Sequence, residues 1–289
     1  MKTGLWKQLL WKQLLWMLLP LSVACNLEKE IEIELPDYAG QIALECYLEP
    51  GKPYRLTLTR STAYFDLLPG KPDSVLAYLQ GILVNGAKVN IRQGNKTVLL
   101  ANRLAVDPES QHFYNYFSPE IVPLDTVQPF YLDILTADGK TIQASARIPV
   151  RVGIDSVVVE FKEKDTLARA LTYFTDLPGE TNYYRRVLHR GNLIRIPEQD
   201  FSSDDRFVQD VFVFGTGYDF TEGDTLINTI YHLEEPYFRY LQSVQGAVSS
   251  NGNPFAQPST ILSNLKGSAG AIGIFTGLRY DRVFTIVKR

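Results

Sequence analysis

The chain has 289 residues and a formal net charge of −3, and 45% of its residues are hydrophobic. A chain of this length can bury a sizeable core and is long enough for two domains. Its mild acidity argues against binding to nucleic acid, because contact with phosphates needs a basic surface that releases counterions. We therefore predict no nucleic-acid partner.

The first 24 residues have the layout of an export signal. Lys2, Lys7 and Lys12 precede an apolar run over 14–21, which ends in LSVAC at 21–25. This run is about half as long as the roughly 20 residues that a bilayer span requires. We predict a lipoprotein signal peptide over 1–24. The alternative is an ordinary secretory signal that ends near a cysteine.

Cleavage before Cys25 would make its thiol and its new amine available for acylation. Each buried methylene contributes about 0.8 kcal/mol, so two or more acyl chains hold a protein at a membrane almost permanently. We expect Cys25 to be lipidated and membrane lipid to be its partner. Residues 25–37, rich in glutamate, are predicted to form a lipidated acidic tether.

Cys46 is then the one thiol that remains. Strand alternation places it on the same face as Ile42 and Leu44, which predicts a small, buried, hydrophobic role. A disulfide between Cys25 and Cys46, in a secreted protein without lipid, is the competing interpretation.

Residues 38–150 are predicted to form an immunoglobulin- or transthyretin-like β-sandwich. Short alternating segments are separated by turn pairs such as Asn85-Gly86 and Asp138-Gly139, with no long helix between them. A loop over 62–81 is expected to carry a short helix at 74–80. The predicted strands are 41–48, 54–61, 87–93, 97–100, 113–117, 129–136 and 140–148.

Residues 151–289 are predicted to form a second antiparallel β domain with one amphipathic helix near 236–249. Pro236 suits the first turn of that helix. Its apolar stripe, which we expect to pack on a sheet or else to face a partner, consists of Tyr237, Tyr240, Leu241, Val244 and Val248. The predicted strands are 155–162, 168–176, 183–190, 207–214, 226–232, 271–276 and 282–287.

Catalytic signatures are weak throughout the sequence. His112, His189 and His232 stand at no spacing that builds a triad or a zinc site. The acidic turn over 219–224 does not match a calcium loop. The GxxGxxG pattern over 267–273 lacks the strand before it and the helix after it that a dinucleotide site needs, so we predict a loop leading into a strand. We predict no catalytic residue, cofactor or metal site, and no enzyme activity.

Several short motifs follow one another in a characteristic order along the chain. They are ECYL at 45–48, GAKV at 86–89, DG at 138–139, IDSV at 154–157, FTD at 174–176, NYY at 182–184, YL at 240–241, NPF at 253–255, SNL at 263–265 and GIF at 273–275. Together with the leader, they resemble the Bacteroidetes outer-membrane lipoproteins of the domain-of-unknown-function 4249 (DUF4249) family. The resemblance implies an envelope lipoprotein, often encoded beside TonB-dependent transporters, and no assigned chemistry.

The acidic residues behind the anchor resemble the signal that exports such lipoproteins to the cell surface. We therefore expect an outer-membrane protein, lipid-anchored and exposed at the surface, and leave the periplasmic leaflet open as the alternative.

Three functions remain open. The leading hypothesis is a binding or accessory subunit of a TonB-dependent outer-membrane transporter; the others are an envelope or extracellular glycan or peptide hydrolase and a structural surface protein. For the first, Tyr183, Tyr184 and Tyr237 are candidate contact residues, with core packing as the alternative for each.

Overall fold

The structure, a computed structural model, describes residues 40–61, 72–206, 210–250 and 260–289. The predicted signal peptide, Cys25 and the tether lie outside these residues. The chain is mainly β, as predicted, and the described part contains sixteen strands and two helices. The strands are β1 (Ile42–Leu48), β2 (Pro53–Arg60), β3 (Lys88–Gln93), β4 (Lys96–Val106), β5 (Phe113–Ile121), β6 (Phe130–Leu135), β7 (Thr141–Ala146), β8 (Ser156–Phe161), β9 (Leu167–Thr175), β10 (Tyr183–Arg190), β11 (Gln199–Asp204), β12 (Val211–Gly215), β13 (Phe220–Thr221), β14 (Thr225–Leu233), β15 (Ile272–Gly277) and β16 (Arg279–Ile286). The helices are α1 (Pro72–Ile82) and α2 (Glu235–Ser250).

Eight strands form one sheet in the order β15-β1-β2-β5-β4-β3-β6-β7. The sheet folds over on itself in a sandwich-like way, so that the inner faces of its strands surround one core. Its two edges also meet: Lys266, just before β15, exchanges two backbone hydrogen bonds of 2.7 and 2.8 Å with Gln143 of β7. The predicted N-terminal sandwich is therefore present as a nearly closed sheet.

Cys46 lies in this core, as predicted. It is a free thiol, 1% exposed, on the same face of β1 as Ile42 and Leu44. Its Sγ donates a weak hydrogen bond to the carbonyl oxygen of Arg55 (3.3 Å). Burial raises the pKa of the thiol, so Cys46 stays protonated and packs as a hydrophobic side chain.

Strand β15 lies within the predicted second domain, residues 151–289, but belongs to the first sheet. It pairs with β1 in parallel, with Gly273 opposite Leu44. Parallel strands that are far apart in the chain leave no hairpin signal in the sequence. The sequence therefore predicts antiparallel strands alone. After β15 the chain passes through Leu278, whose N–H donates to the carbonyl oxygen of Leu48 (2.8 Å), and enters β16 of another sheet.

The remaining strands form two four-stranded sheets, the predicted second antiparallel β region. One has the order β11-β10-β14-β16, and the other joins β12, β9 and β13, with β8 also paired to β9. Aromatic side chains fill the space between them: Phe174 stacks on Phe212 at 4.8 Å and meets Tyr184 edge-on at 5.0 Å. Strand β11 was not predicted, since its sequence QDFSSD is polar and it pairs only with β10.

The predicted helices are present with small differences. Helix α1 is longer than the predicted 74–80, and α2 begins one residue before Pro236. The predicted apolar stripe of α2 is only partly correct, because Phe238 is buried whereas Val248 is 60% exposed. Neither helix is long and apolar enough to cross a bilayer, in the part of the chain that the structure describes.

Glu234 joins three elements at the start of α2. Its carboxylate accepts a hydrogen bond from the N–H of Arg147 (2.9 Å), after β7, and another from that of Gly277 at the end of β15. Burial outweighs these bonds and raises the pKa of Glu234 from 4.5 to about 7. The folded protein thus binds a proton between pH 4.5 and 7 that the unfolded chain has released.

We expect Glu234→Gln to flatten the dependence of stability on pH. The glutamine keeps an acceptor for both amides but cannot ionise. The free energy of unfolding of the wild type should therefore fall relative to that of the variant as pH rises from 4.5 to 8, by up to about 3 kcal/mol. Urea unfolding at a series of pH values measures this difference. Glu235→Gln, at the exposed neighbour paired with Arg239, is the control; parallel curves for Glu234→Gln and wild type would contradict the prediction.

Candidate functional site

A cleft of about 820 Å³ lies between the outer face of the first sheet and one face of the second. Strands β1 and β2 supply one wall, strands β10, β14 and β16 supply the facing wall, and helix α2 and residues 107–114 contribute to the sides. The cleft therefore lies where β15 runs into β16 and links the two sheets. It is the best candidate for a functional site in the described residues.

Strand register determines which side chains face the cleft from the second sheet. Tyr280, Tyr231 and Arg185 stand in one row across β16, β14 and β10, and Arg282 and Thr229 stand in the next. Because alternate residues of a strand point to the same face, both rows lie on one surface. That surface carries an aromatic strip beside two guanidinium groups.

The wall opposite the second sheet comes mainly from β1. Its residues alternate between the core and the cleft, so Glu45 and Tyr47 line the cleft while Cys46 and Leu48 are buried. Glu49, the first residue after β1, also lines the cleft. A strand that is buried on one face and half-covered on the other has little tolerance for a register slip.

Most charges in the cleft are paired. Arg185 holds Asp200 through two hydrogen bonds of 2.7 and 2.6 Å and also donates to the hydroxyl of Tyr237 (2.9 Å). Arg55 binds Asp107 at 2.6 Å. These pairs hold Tyr237 of α2 and the loop after β4 against the two walls.

Two tyrosine–glutamate hydrogen bonds cross the cleft. The hydroxyl of Tyr280 donates to Glu49 Oε1 (2.8 Å), and that of Tyr240, on α2, donates to Glu45 Oε1 (3.4 Å). Burial and then the neighbouring carboxylate raise the pKa of both tyrosines, so both hydroxyls remain donors. Neither glutamate forms an ion pair among the described residues.

Arg282 differs from the other cleft cations. Its Nε donates to Thr229 Oγ1 (3.0 Å), and its guanidinium lies 4.8 Å from the ring centre of Tyr280. No carboxylate of the described residues lies within ion-pair distance of it. Nearby, Nδ1 of His189 is buried without a hydrogen-bond partner in the described structure. Burial, and then the charge of Arg282, lower the pKa of His189, so its ring is neutral at pH 7.

The sequence matches a family model over residues 28–282, the domain of unknown function DUF4249. The chain belongs to this family. The match includes every strand through β15 and the start of β16, so it spans both walls of the cleft of this DUF4249 protein. Membership gives no chemistry, because the family is defined without a function.

Other comparisons add little about the DUF4249 fold. No curated protein matches the chain. A chain of a cytokine receptor complex has 7% identity and a TM-score of 0.25, covering 68% of this chain and 86% of its own. The mu homology domain of Fcho1 from Danio rerio, solved with a bound Eps15 peptide, has 10% identity and a TM-score of 0.14, covering 84% and 92%. Scores this low support no structural argument.

The predicted contact residues of the DUF4249 chain have different environments. Tyr184 is fully buried and donates to Asp176 (2.5 Å), so it belongs to the core and offers no contact surface. Tyr183 packs on Phe238 at 4.7 Å. Tyr237 is 3% exposed but lies in the cleft wall against Tyr47, at 5.8 Å between ring centres.

The histidines of the DUF4249 chain do not converge on one centre. His232 hydrogen-bonds to the carbonyl oxygen of Val150 (2.8 Å), whereas His112 and His189 line the cleft on opposite walls. The acidic turn at 219–224 is held internally, with Asp224 accepting from the N–H of Thr221 (2.8 Å). No group of three metal-binding side chains occurs within the described ranges.

Sequence reasoning missed Glu49, Tyr280 and Arg282 as site residues. Each stands at an ordinary position in or beside a strand, and nothing local in the sequence marks it. The signal that could have pointed to the cleft is the pair of polar residues Glu45 and Tyr47, which alternate with the buried residues of β1, where a strand buried on both faces would carry apolar residues.

Proposed function

We propose that this protein is a lipid-anchored cell-envelope protein whose cleft binds a small ligand, and that it serves as an accessory subunit of a TonB-dependent outer-membrane transporter. The observation that carries the proposal is the tyrosine-lined cleft of about 820 Å³ between its two sheets. Ligand sites are typically concave, about 300–1,000 Å³ in volume, with a few placed polar groups on aromatic walls.

The anchor part of the proposal is supported by the sequence. The leader ends at Cys25, and an acidic stretch of residues 25–37 follows. Two or more acyl chains on Cys25 would tether the β structure to the outer membrane, at the surface of a Bacteroidetes-type cell. Such a tether lets the cleft remain close to a transporter without a membrane-spanning helix.

The chemistry of the cleft supports binding more than reaction. Tyrosines present a broad contact surface at low cost in side-chain entropy, and the ion pairs of Arg55 and Arg185 keep the walls in place before a ligand arrives. A ligand can therefore bind in this cleft without a rearrangement of the core.

A hydrolase is the second candidate, because Glu45 and Glu49 lie in the cleft without ion pairs. Glycosidases need two carboxyl groups about 5–9.5 Å apart, across a bond from each other. Glu45 lies on β1 and Glu49 is the first residue after it, four residues further along an extended chain, which separates their backbones by about 13 Å. This spacing favours the binding proposal over the hydrolase.

The test is isolation of the protein in mild detergent from cells that express it at its natural level. We expect a TonB-dependent transporter in the eluate, and a mature chain that begins at an acylated Cys25. Cys25→Ser should release the protein from the membrane fraction and greatly reduce recovery of the transporter. An eluate without any transporter, or a mature chain with an unmodified Cys25, would contradict the proposal.

A further inference from the structure

The cleft contains opposite charges that do not neutralise each other. Lys52, Arg55 and Arg185 each pair with a carboxylate. Arg282 on one wall and Glu49 on the other have no ion-pair partner among the described residues. A charge without a partner in a half-buried cleft is unfavourable in free energy. A ligand that pairs with both Arg282 and Glu49 therefore gains more binding free energy than one that pairs with either alone.

Tyr280 separates these two charges. Its ring lies 4.8 Å from the guanidinium of Arg282, and its hydroxyl lies 2.8 Å from Glu49 Oε1. Arg282 and Tyr280 occupy neighbouring same-face positions of β16, and Glu49 reaches the same place from beyond the end of β1. The cation and the anion thus both adjoin one aromatic side chain in the cleft, the cation at its ring and the anion at its hydroxyl.

We propose that the cleft binds a zwitterionic amino acid or short peptide, with the ligand carboxylate at Arg282 and the ligand ammonium at Glu49. This inference rests on the proposed binding function and names its ligand class. The Nε of Arg282 donates to Thr229, and the guanidinium also donates to the hydroxyl of Tyr231. Its remaining N–H groups are left to meet a carboxylate. Glu49 Oε2, the oxygen that Tyr280 does not use, meets the ammonium.

Other charged ligands fit less well. A phosphate with two negative charges would find one unpaired cation and would be repelled by Glu49 and Glu45. A ligand that is only cationic would leave Arg282 unmatched. The tyrosines of the second-sheet wall, Tyr231 and Tyr280, pack with their ring centres 5.1 Å apart and tilted by 51°, and they offer an apolar surface for a ligand side chain.

The experiment is calorimetric titration of the full-length protein in detergent at pH 7 and low salt. The probes are the dipeptide alanyl-phenylalanine with free ends, its N-acetyl form, its C-terminal amide and the form with both ends blocked. In the wild type, we expect each block to weaken binding about tenfold or more, as loss of a hydrogen bond to a charged group does.

Charge-removing variants assign each end of the ligand. In Arg282→Gln, amidation should no longer weaken binding, while acetylation still does. In Glu49→Gln, which keeps an acceptor for Tyr280, acetylation should lose its effect and amidation should retain it. Glu160→Gln, on β8 outside the cleft and paired with Arg169, is the control and should preserve both effects. Thermal unfolding of each variant verifies that it is folded.

Equal affinities for all four dipeptides, no binding of the free dipeptide, or an amidation effect that survives in Arg282→Gln would overturn the inference. The outcome is separable from that of the transporter experiment. Co-purification of a transporter together with failure of all dipeptides would reject the ligand class alone, whereas dipeptide binding without a transporter would reject the accessory role alone.

Discussion

Gly273→Ala is expected to destabilise the protein by about 3–5 kcal/mol, a large fraction of the stability of an ordinary domain. Gly273 has a φ of +128°, and a Cβ placed there would lie 1.8 Å from the carbonyl oxygen of Leu44. That oxygen belongs to the backbone of β1, so it can move away only if β15 separates from β1. The variant therefore combines strain at a left-handed position with loss of the parallel ladder.

The control separates these two effects. Gly179 has a φ of +110°, but a Cβ there would meet no atom within 4 Å. Gly179→Ala should cost only the conformational part, about 1–2 kcal/mol. Urea unfolding of both variants, together with the yield of soluble protein, measures the difference. Equal stability of the two variants would mean that β15 does not approach β1 as closely as the structure has it.

Local patterns predicted the elements of this fold better than their arrangement. The alternation in β1 and the turn at Asp138-Gly139 are signals carried by adjacent residues, and the corresponding strands lie within one or two residues of their predicted bounds. Strand β4 extends to Val106, beyond the predicted end at residue 100, because its second half pairs with β5 across a register shift. The sequence of β15 predicts a strand, but it does not predict the strand's parallel pairing with β1, because that pairing is set by tertiary packing.

The glycine pattern over 267–273 shows the same limit. The sequence predicts a loop that leads into a strand, and Gly267 and Gly270 do lie in that loop. The reason for glycine is visible only in three dimensions: a Cβ at Gly267 would lie 2.3 Å from the carbonyl oxygen of Thr141. The glycines are spaced as in a nucleotide-binding motif, but here they allow two backbone segments to approach each other closely.

The candidate site was beyond prediction for a related reason. Glu49 and Arg282 lie near opposite ends of the described chain and line one cleft because β15 and β16 are consecutive strands in different sheets. Tyrosines on predicted strand and helix faces were candidate contact residues, with core packing as the alternative, and one of them, Tyr184, is in the core. Charge pairing, which distinguishes Arg282 from Arg185, depends on distances that a sequence does not contain.

Arg186 is a fully buried cation without a carboxylate partner in the described residues, 0% exposed between the two smaller sheets. Its guanidinium donates to Gln199 Oε1 (2.7 Å) and Asn228 Oδ1 (3.0 Å), both neutral acceptors, and its Nε has no partner. Burial lowers the pKa of Arg186 to about 10, which still leaves it charged at pH 7. Neutral acceptors repay only part of the cost of removing such a charge from water, several kcal/mol per ion.

Two substitutions separate the volume of Arg186 from its charge. Arg186→Ala should lower the free energy of unfolding by about 3–5 kcal/mol, because it leaves a cavity between the two sheets and removes the donor to Gln199 Oε1. Arg186→Met fills most of that space without a charge. Thr172 still donates to Asn228 Oδ1 (2.8 Å) when the arginine is absent. The free energy of unfolding of the methionine variant should therefore lie within about 1 kcal/mol of that of the wild type, or above it.

Urea unfolding at pH 7 compares the two variants directly. A loss in Arg186→Met as large as that in Arg186→Ala would show that the charge itself holds the two sheets together, against this prediction. The expected result has a consequence for the cleft, because Arg185 points to the opposite face of the same strand and binds Asp200. Ligand affinity should be unchanged in Arg186→Met, since the strand keeps its register while only its buried face loses a charge.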